Sequence, residues 1–294
     1  MKSAVKRSED SSSKISQELV DHIKKSGNIL IAHCGATYGL VQHTTSILKI
    51  SKPELALMAA DGDYTHNVML PYIAETLDLA IIYSDAVHER AVARLLHSVL
   101  INNIRTIFIL PNVIYERYRA QWSREFGNID IIEIDSDIYR LTLLLASLKV
   151  GINIGSAVAR INRMKDELEI SSVVEDVVDR YRDAIEMLKS CRNIIVSKTM
   201  LPLGEYLEEH GYNMYVMNAP SRTLLNRIAT PSETFVLAYS SIEDHIVNEF
   251  TMEALRKGFL KERFVDFRIN TDPFTAPIYG ILISMAAILG GQRL

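Results

Sequence analysis

Apolar residues follow two periods along this chain. Short, nearly unbroken apolar runs bounded by Gly, Pro, Ser or Asp predict buried strands at Asn28–Ala32, Leu55–Ala59, Leu79–Tyr83, Thr106–Leu110 and Ile129–Ile134. Between them the apolar positions recur at helical spacing, over Ile15–Lys25, Tyr38–Ile50, His66–Thr76 (broken by Pro71), His88–Leu100 and Ile138–Ile152. Asp135 and Ser136 are the expected N-caps of the last of these. Strands that are apolar throughout and alternate with helices predict an α/β fold whose parallel sheet is covered on both faces. Met1–Lys14 is polar, with serines at 11, 12 and 13, and is expected to be disordered.

Val158–Lys189 breaks the alternation. It is highly charged and free of Gly and Pro, with apolar residues at helical spacing, and predicts one or two connecting helices. The strand pattern then restarts. IKKSGNILI at Ile23–Ile31 is echoed by LKSCRNIIV at Leu188–Val196, and AIIYS at Ala80–Ser84 by VLAYS at Val236–Ser240. Two matches in the same order predict an internal duplication. The resulting division is 1–14 disordered, 15–157 a first unit, 158–189 a connector and 190–294 a second unit.

Composition narrows the function more than the fold. The 294 residues carry a formal net charge of −4 and 23% charged residues, without the basic stripe that nucleic acid or an anionic membrane would require. The most apolar stretch, Phe274–Leu289, is too short to span a bilayer and contains Pro277. Cys34 and Cys191 form neither a disulfide framework nor a metal-ligand spacing, so a reducing cytoplasm is expected and no metal or cofactor is called for.

Chemistry concentrates at the end of the first strand. Asn28–Tyr38, NILIAHCGATY, runs from a buried strand into a small-residue loop and then a helix whose N-terminus aims backbone N–H groups at that loop. In open α/β sheets ligands bind at such strand ends. Cys34 precedes a helix N-terminus, which favours a thiolate, although a small buried residue is the ordinary occupant of a strand end. A dinucleotide site is disfavoured, because no G-x-G-x-x-G follows this strand.

CGATY at Cys34–Tyr38, IYSDAVHE at Ile82–Glu89, EIDSDIYRLTLLLASL at Glu133–Leu148 and PIYGILISMAAILGG at Pro277–Gly291 together resemble the sugar isomerase (SIS) family. The layout is similar to the tandem isomerase half of glucosamine-6-phosphate synthase. The resemblance implies two tandem units, each a parallel five-stranded sheet flanked by helices, binding a phosphorylated sugar. It also implies a homodimer and aldose–ketose isomerisation of a hexose or hexosamine 6-phosphate, with a non-catalytic sensor as the alternative.

Carried over residue by residue, the resemblance assigns phosphosugar binding to Cys34, Gly35, Ala36, Thr37, Ser84, Asp85, Val87 and Arg222, with Thr44 and Thr45 as further hydroxyls. The family's serine-rich phosphate loop is altered. Ile82, Asp85 and Val87 stand at its first serine, its glycine and its threonine, and only Ser84 and Glu89 fit. Asp85 would repel a phosphate, or cap the helix starting near Val87. The second unit's loop, Tyr239–Asp244, reads as a capped helix start. The catalytic carboxylate falls in MLPLGEYLEEHGY, on Glu205 or Glu208, three apart on one helical face. The stretch Ala219–Thr230 holds no histidine to match the family's ring-opening residue, and the tail lysine has no counterpart except Lys198.

Overall fold

A computed structural model describes the chain except residues 86–88, 115, 117–128, 156–157, 218–221, 229–232 and 292–294. It divides into two compact units, Ser3–Leu168 and Glu169–Leu294, with Met1–Lys2 counted to the second.

The first unit is built on five parallel strands, β1 (Asn28–Cys34), β2 (Ala56–Asp61), β3 (Leu79–Ser84), β4 (Thr106–Pro111) and β5 (Asp130–Ile134), in the order β2-β1-β3-β4-β5. The order reverses between β1 and β3, so these two strands diverge into different crossovers and open a crevice at their C-terminal ends. Register places Cys34 beside Ser84, and His33 between Asp61 and Tyr83. Every residue of β3 and β4 is buried. On one face Leu30, Ala32, Ile82 and Phe108 pack with Leu95, Leu96 and Val99 of the helix Glu89–Ile101.

Helix α1 (Lys2–Ile23) overturns the expectation of a disordered start. Its buried residues are Val5, Ser8, Glu9, Ser12, Ile15, Ser16, Leu19, Val20, His22 and Ile23, a face at helical spacing that includes three serines. Three contacts tie it down. The Thr142 hydroxyl donates to Ser8 Oγ at 3.2 Å, Arg7 forks to Asp135 and Asp137 at 2.6 Å each, and the half-buried Lys149 ammonium donates to Glu9 O, Ser12 Oγ and Ser13 Oγ at 2.7–2.8 Å. Burial lowers the Lys149 pKa. The sequence reading took Met1–Lys14 as polar throughout and so missed this face.

Helix α2 (Tyr38–Ser51) packs on α3, the helix Tyr139–Ile154. A Cβ on Gly151 would fall 2.3 Å from the Ile47 side chain, so the two axes approach as only glycine allows. Asp135 and Ser136 do not cap α3: its N-cap is Ile138, whose N–H donates to Asp135 O at 3.1 Å, while the Ser136 hydroxyl binds Asn112. The segment expected as a helix over His66–Thr76 begins earlier. It runs Gly62–Tyr64, a π turn Thr65–Met69, Leu70–Ile73 and a 3₁₀ turn Ala74–Thr76, with Pro71 tolerated at the start of a helical piece.

The second unit holds β6 (Asn193–Val196), β7 (Asn213–Val216), β8 (Phe235–Ser240) and β9 (Phe264–Ile269), all parallel, in the order β7-β6-β8-β9. This repeats the first unit's order with four strands rather than the expected five among the described residues. β8, like β3, is buried along its whole length. Phe235, Phe250, Phe259 and Phe264 form an aromatic core, with Phe264 5.7 Å from Phe250 and 6.0 Å from Phe235. Helix α4 (Leu201–Glu209) lies close on this sheet, since a Cβ on Gly204 would meet Met214 and Val196. The expected connector is not one body: it breaks into Ala159–Arg163, a 3₁₀ turn Met164–Glu167, Ile170–Arg180 and Arg182–Ser190, and the unit boundary cuts it at Leu168.

Lys149→Met should lower the unfolding free energy by about 1–3 kcal/mol, because buried serine and carbonyl groups lose their donor. Urea denaturation reads the loss, and hydrogen exchange of the α1 amides should accelerate first.

Candidate functional site: the crevice between β1 and β3

Gly35 follows β1 with φ +81°, a left-handed conformation that turns the chain toward β3. A Cβ here would stand 2.1 Å from Asp85 Oδ2, so the carboxylate lies directly against this backbone. The Ala36 N–H donates to Asp85 Oδ2 at 2.6 Å. The Asp85 N–H in turn donates to Cys34 O at 3.1 Å, tying the two loops by backbone as well. Asp85 is 7% exposed. This carboxylate therefore reaches across the crevice to the first loop and takes an N–H that the sequence reading reserved for a phosphate.

The hydroxyls of the proposed site also point inward. Thr37 is fully buried and donates to Tyr83 O at 3.3 Å. Ser84 is buried and donates to Asp85 O at 2.9 Å, while its own carbonyl accepts the Tyr139 hydroxyl at 2.8 Å. Thr44 faces the Tyr83 hydroxyl at 3.3 Å. Val87 lies outside the described residues.

Arg140, on α3, is the residue that sequence reading missed. It is 3% exposed, and Nη2 donates to Ala36 O at 2.5 Å, behind the same loop. Its signal was present as one arginine in the apolar run IYRLTLLLASL.

His33 sits half-buried at the rim, with Nδ1 3.3 Å from Gly35 O and its ring 5.3 Å from that of Tyr38. Burial lowers its pKa, opposed by the Gly35 carbonyl and by Asp61 and Asp85. Cys34 is 1% exposed, and its thiol is pushed up to about 12, by burial first and by Asp61, Asp63 and Asp85 after it. Burial thus disfavours the thiolate, and the Cys34 side chain packs against Gly62.

The corresponding crevice of the second unit is closed in a related way. Glu243, which follows β8, accepts from the Ser197 hydroxyl at 2.6 Å, the Thr199 hydroxyl at 2.8 Å and the Ser240 N–H at 3.1 Å. Asp244 forks to Arg268 at 2.7 and 2.8 Å. The loop is a capped helix start, as its sequence predicts, and Lys198 is exposed.

The two candidate carboxylates of α4 part company. Glu205 is 5% exposed among Leu201, Leu203, Tyr206 and Leu207, whereas Glu208 is exposed. Arg222 opens a short helix, Arg222–Arg227, and its side chain lies outside the described residues. Among the described residues no group of His, Cys, Asp and Glu could hold a metal ion, and no helix is long and apolar enough to cross a membrane.

No protein-family model and no curated protein sequence matches this chain. Solved structures do. Glucosamine-6-phosphate deaminase from Thermotoga maritima aligns with a TM-score of 0.61 at 12% identity, covering 100% of this chain and 95% of that one. The C-terminal domain of glucosamine-fructose-6-phosphate aminotransferase from Francisella tularensis aligns at 0.59 and 12%, covering 98% and 95%. A Salmonella typhimurium protein provisionally called a phosphosugar isomerase aligns at 0.66 and 11%, covering 96% and 93%. Alignments that run over essentially whole chains, together with the two parallel sheets, show that this chain shares the tandem α/β fold of these proteins.

The lowered pKa of His33 has a consequence for stability. The unfolded chain takes up a proton near pH 6.5 and the folded chain does so only at lower pH, so the folded state loses stability as pH falls below that point. His33→Gln should flatten the fall in urea midpoint between neutral and mildly acidic buffer. An unchanged slope would show that His33 is not its source, leaving His22, also lowered by burial.

Proposed function

We infer that this protein binds a phosphorylated sugar of the hexose or hexosamine 6-phosphate class and interconverts its aldose and ketose forms. The observation that carries the reading is the tandem SIS fold with a small-residue loop at the switch point of the first sheet and a buried arginine behind it. The solved structures that share the fold include a glucosamine-6-phosphate deaminase and an aminotransferase domain named for fructose 6-phosphate. Glu205 is the residue to which proton transfer between C1 and C2 is assigned. It lies on α4, after the second unit's first strand, and is buried where Glu208 is exposed. Family resemblance and the two free cysteines support a homodimer in a reducing cytoplasm.

A second reading, a sugar-phosphate sensor without turnover, is favoured by a specific observation: the Asp85 carboxylate occupies the Ala36 N–H, and 219–230 carries no histidine for ring opening.

Thermal unfolding with fructose 6-phosphate, glucose 6-phosphate and glucosamine 6-phosphate tests binding, since a ligand preferring the folded state raises the Tm. Coupled isomerase assays then separate the two readings. If the protein turns over, Glu205→Gln should cost about 10²-fold or more in kcat, and Glu208→Gln should leave kcat near the parent value. Equal losses in both would remove the assignment to Glu205.

A further inference from the structure

An open sheet has two edges, and an unguarded edge is a template for another strand. Among the described residues, three of the four edge strands are guarded. β5 carries Asp130 and Glu133, β9 carries Asp266 and Arg268, and β7 is four residues long. β2 differs. Ala56–Ala60 is uncharged and free of proline, and no residue of this strand is buried. The Ala56 N–H donates to Gly27 O on the β1 side, so strand alternation turns the backbone groups of Leu57, Ala59 and Asp61 outward.

The chain that leaves β2 adds an apolar stripe. Tyr64, Val68 and Tyr72 stand four residues apart on the segment Gly62–Ile73 and are 54%, 42% and 85% exposed. This segment crosses from β2 to β3 and packs on the same core cluster as Met58 of β2, so it is the helical layer beside this edge. The edge is also polarised. At its start Lys49 and Lys52 outnumber Glu54, and at its end Asp61 and Asp63 outnumber Arg94, which pairs with Asp63.

We propose that β2 pairs antiparallel with β2 of a second copy of this chain across a two-fold axis normal to the sheet, joining the two first sheets into one. The proposal rests on the homodimer reading above and names its surface. Such an axis sets the start of one strand against the end of the other, so the lysine excess of each copy faces the aspartate excess of its mate. It also keeps both Tyr64–Val68–Tyr72 stripes on the same side of the joined sheet, where they meet. At their present exposure the two tyrosines would bury on the order of 200–350 Å² per copy. Two copies thus reach roughly half of the ~1,000 Å² that a specific interface needs, and Val68 with the paired strands supplies the remainder.

Sedimentation equilibrium of the full chain tests this in the parent, Ala59→Lys, Tyr72→Lys and a control, Leu260→Lys, in the second unit. All three positions are exposed, so the variants should melt like the parent. Ala59→Lys and Tyr72→Lys should weaken dimerisation about tenfold or more, because each sets like charges together near the axis. Leu260→Lys should stay within about twofold of the parent. Hydrogen exchange of the Leu57 and Ala59 amides should slow as the parent is concentrated. Tyr72→Lys carries the test if Ala59→Lys does not fold. A parent dimer that both variants leave intact overturns this surface and keeps the homodimer reading. A dimer without concentration-dependent protection of Leu57 and Ala59 overturns the strand pairing. A parent that is monomeric at every concentration overturns the homodimer reading and the surface together, leaving the edge to a different chain.

Discussion

Each sheet in this protein is parallel, so successive neighbouring strands must be linked by crossovers, and the crossovers lay helices on the faces. From this follow the fully apolar β3, β4 and β8, the glycine contacts that let α2 meet α3 and α4 meet its sheet, and the gathering of all strand C-termini at one edge of each sheet. Helix α1 is tied to α3 by side-chain hydrogen bonds that reach its buried serines. Lys149 and Thr142 then satisfy the hydroxyls that this packing removes from water.

The same constraint sets the electrostatics of the first crevice. Strand register brings His33, Cys34, Asp61, Tyr83 and Ser84 to one end of the sheet, and the loops add Asp63 and Asp85. Burial disfavours the Cys34 thiolate and lowers the His33 pKa, while Arg140 supplies a positive charge behind the loop. The Asp85 carboxylate satisfies the Ala36 N–H, and Arg140 the Ala36 carbonyl. The crevice therefore holds a carboxylate of its own chain.

The two units answer one design in different ways. Both have the strand order that reverses beside the first strand, both bury the central strand completely, and both bring a carboxylate from the loop after that strand back toward the loop after the first. In the second unit the donors are side-chain hydroxyls and the result is a capped helix start. In the first the donor is a backbone N–H beside a left-handed glycine, the kind of group that also serves ligands.

Much of the fold was legible in the residues. The apolar runs located all five strands of the first sheet to within two residues, and the repeated strand motifs announced the duplication, because a strand buried on both faces leaves an unbroken apolar signature. The loop Cys34–Thr37 was legible too, as small residues between a strand and a helix. What tertiary structure alone decided concerns polar groups whose partners are distant in sequence. Serines of α1 became buried beside Thr142 and Lys149, Arg140 met the Ala36 carbonyl, Glu205 was set apart from Glu208 by burial, and the Asp85 carboxylate met the Ala36 N–H across the crevice. Periodicity reports which side chains avoid water, since that preference is a property of each residue. It does not report which carboxylate meets which N–H, since that is a property of two chain segments folded together.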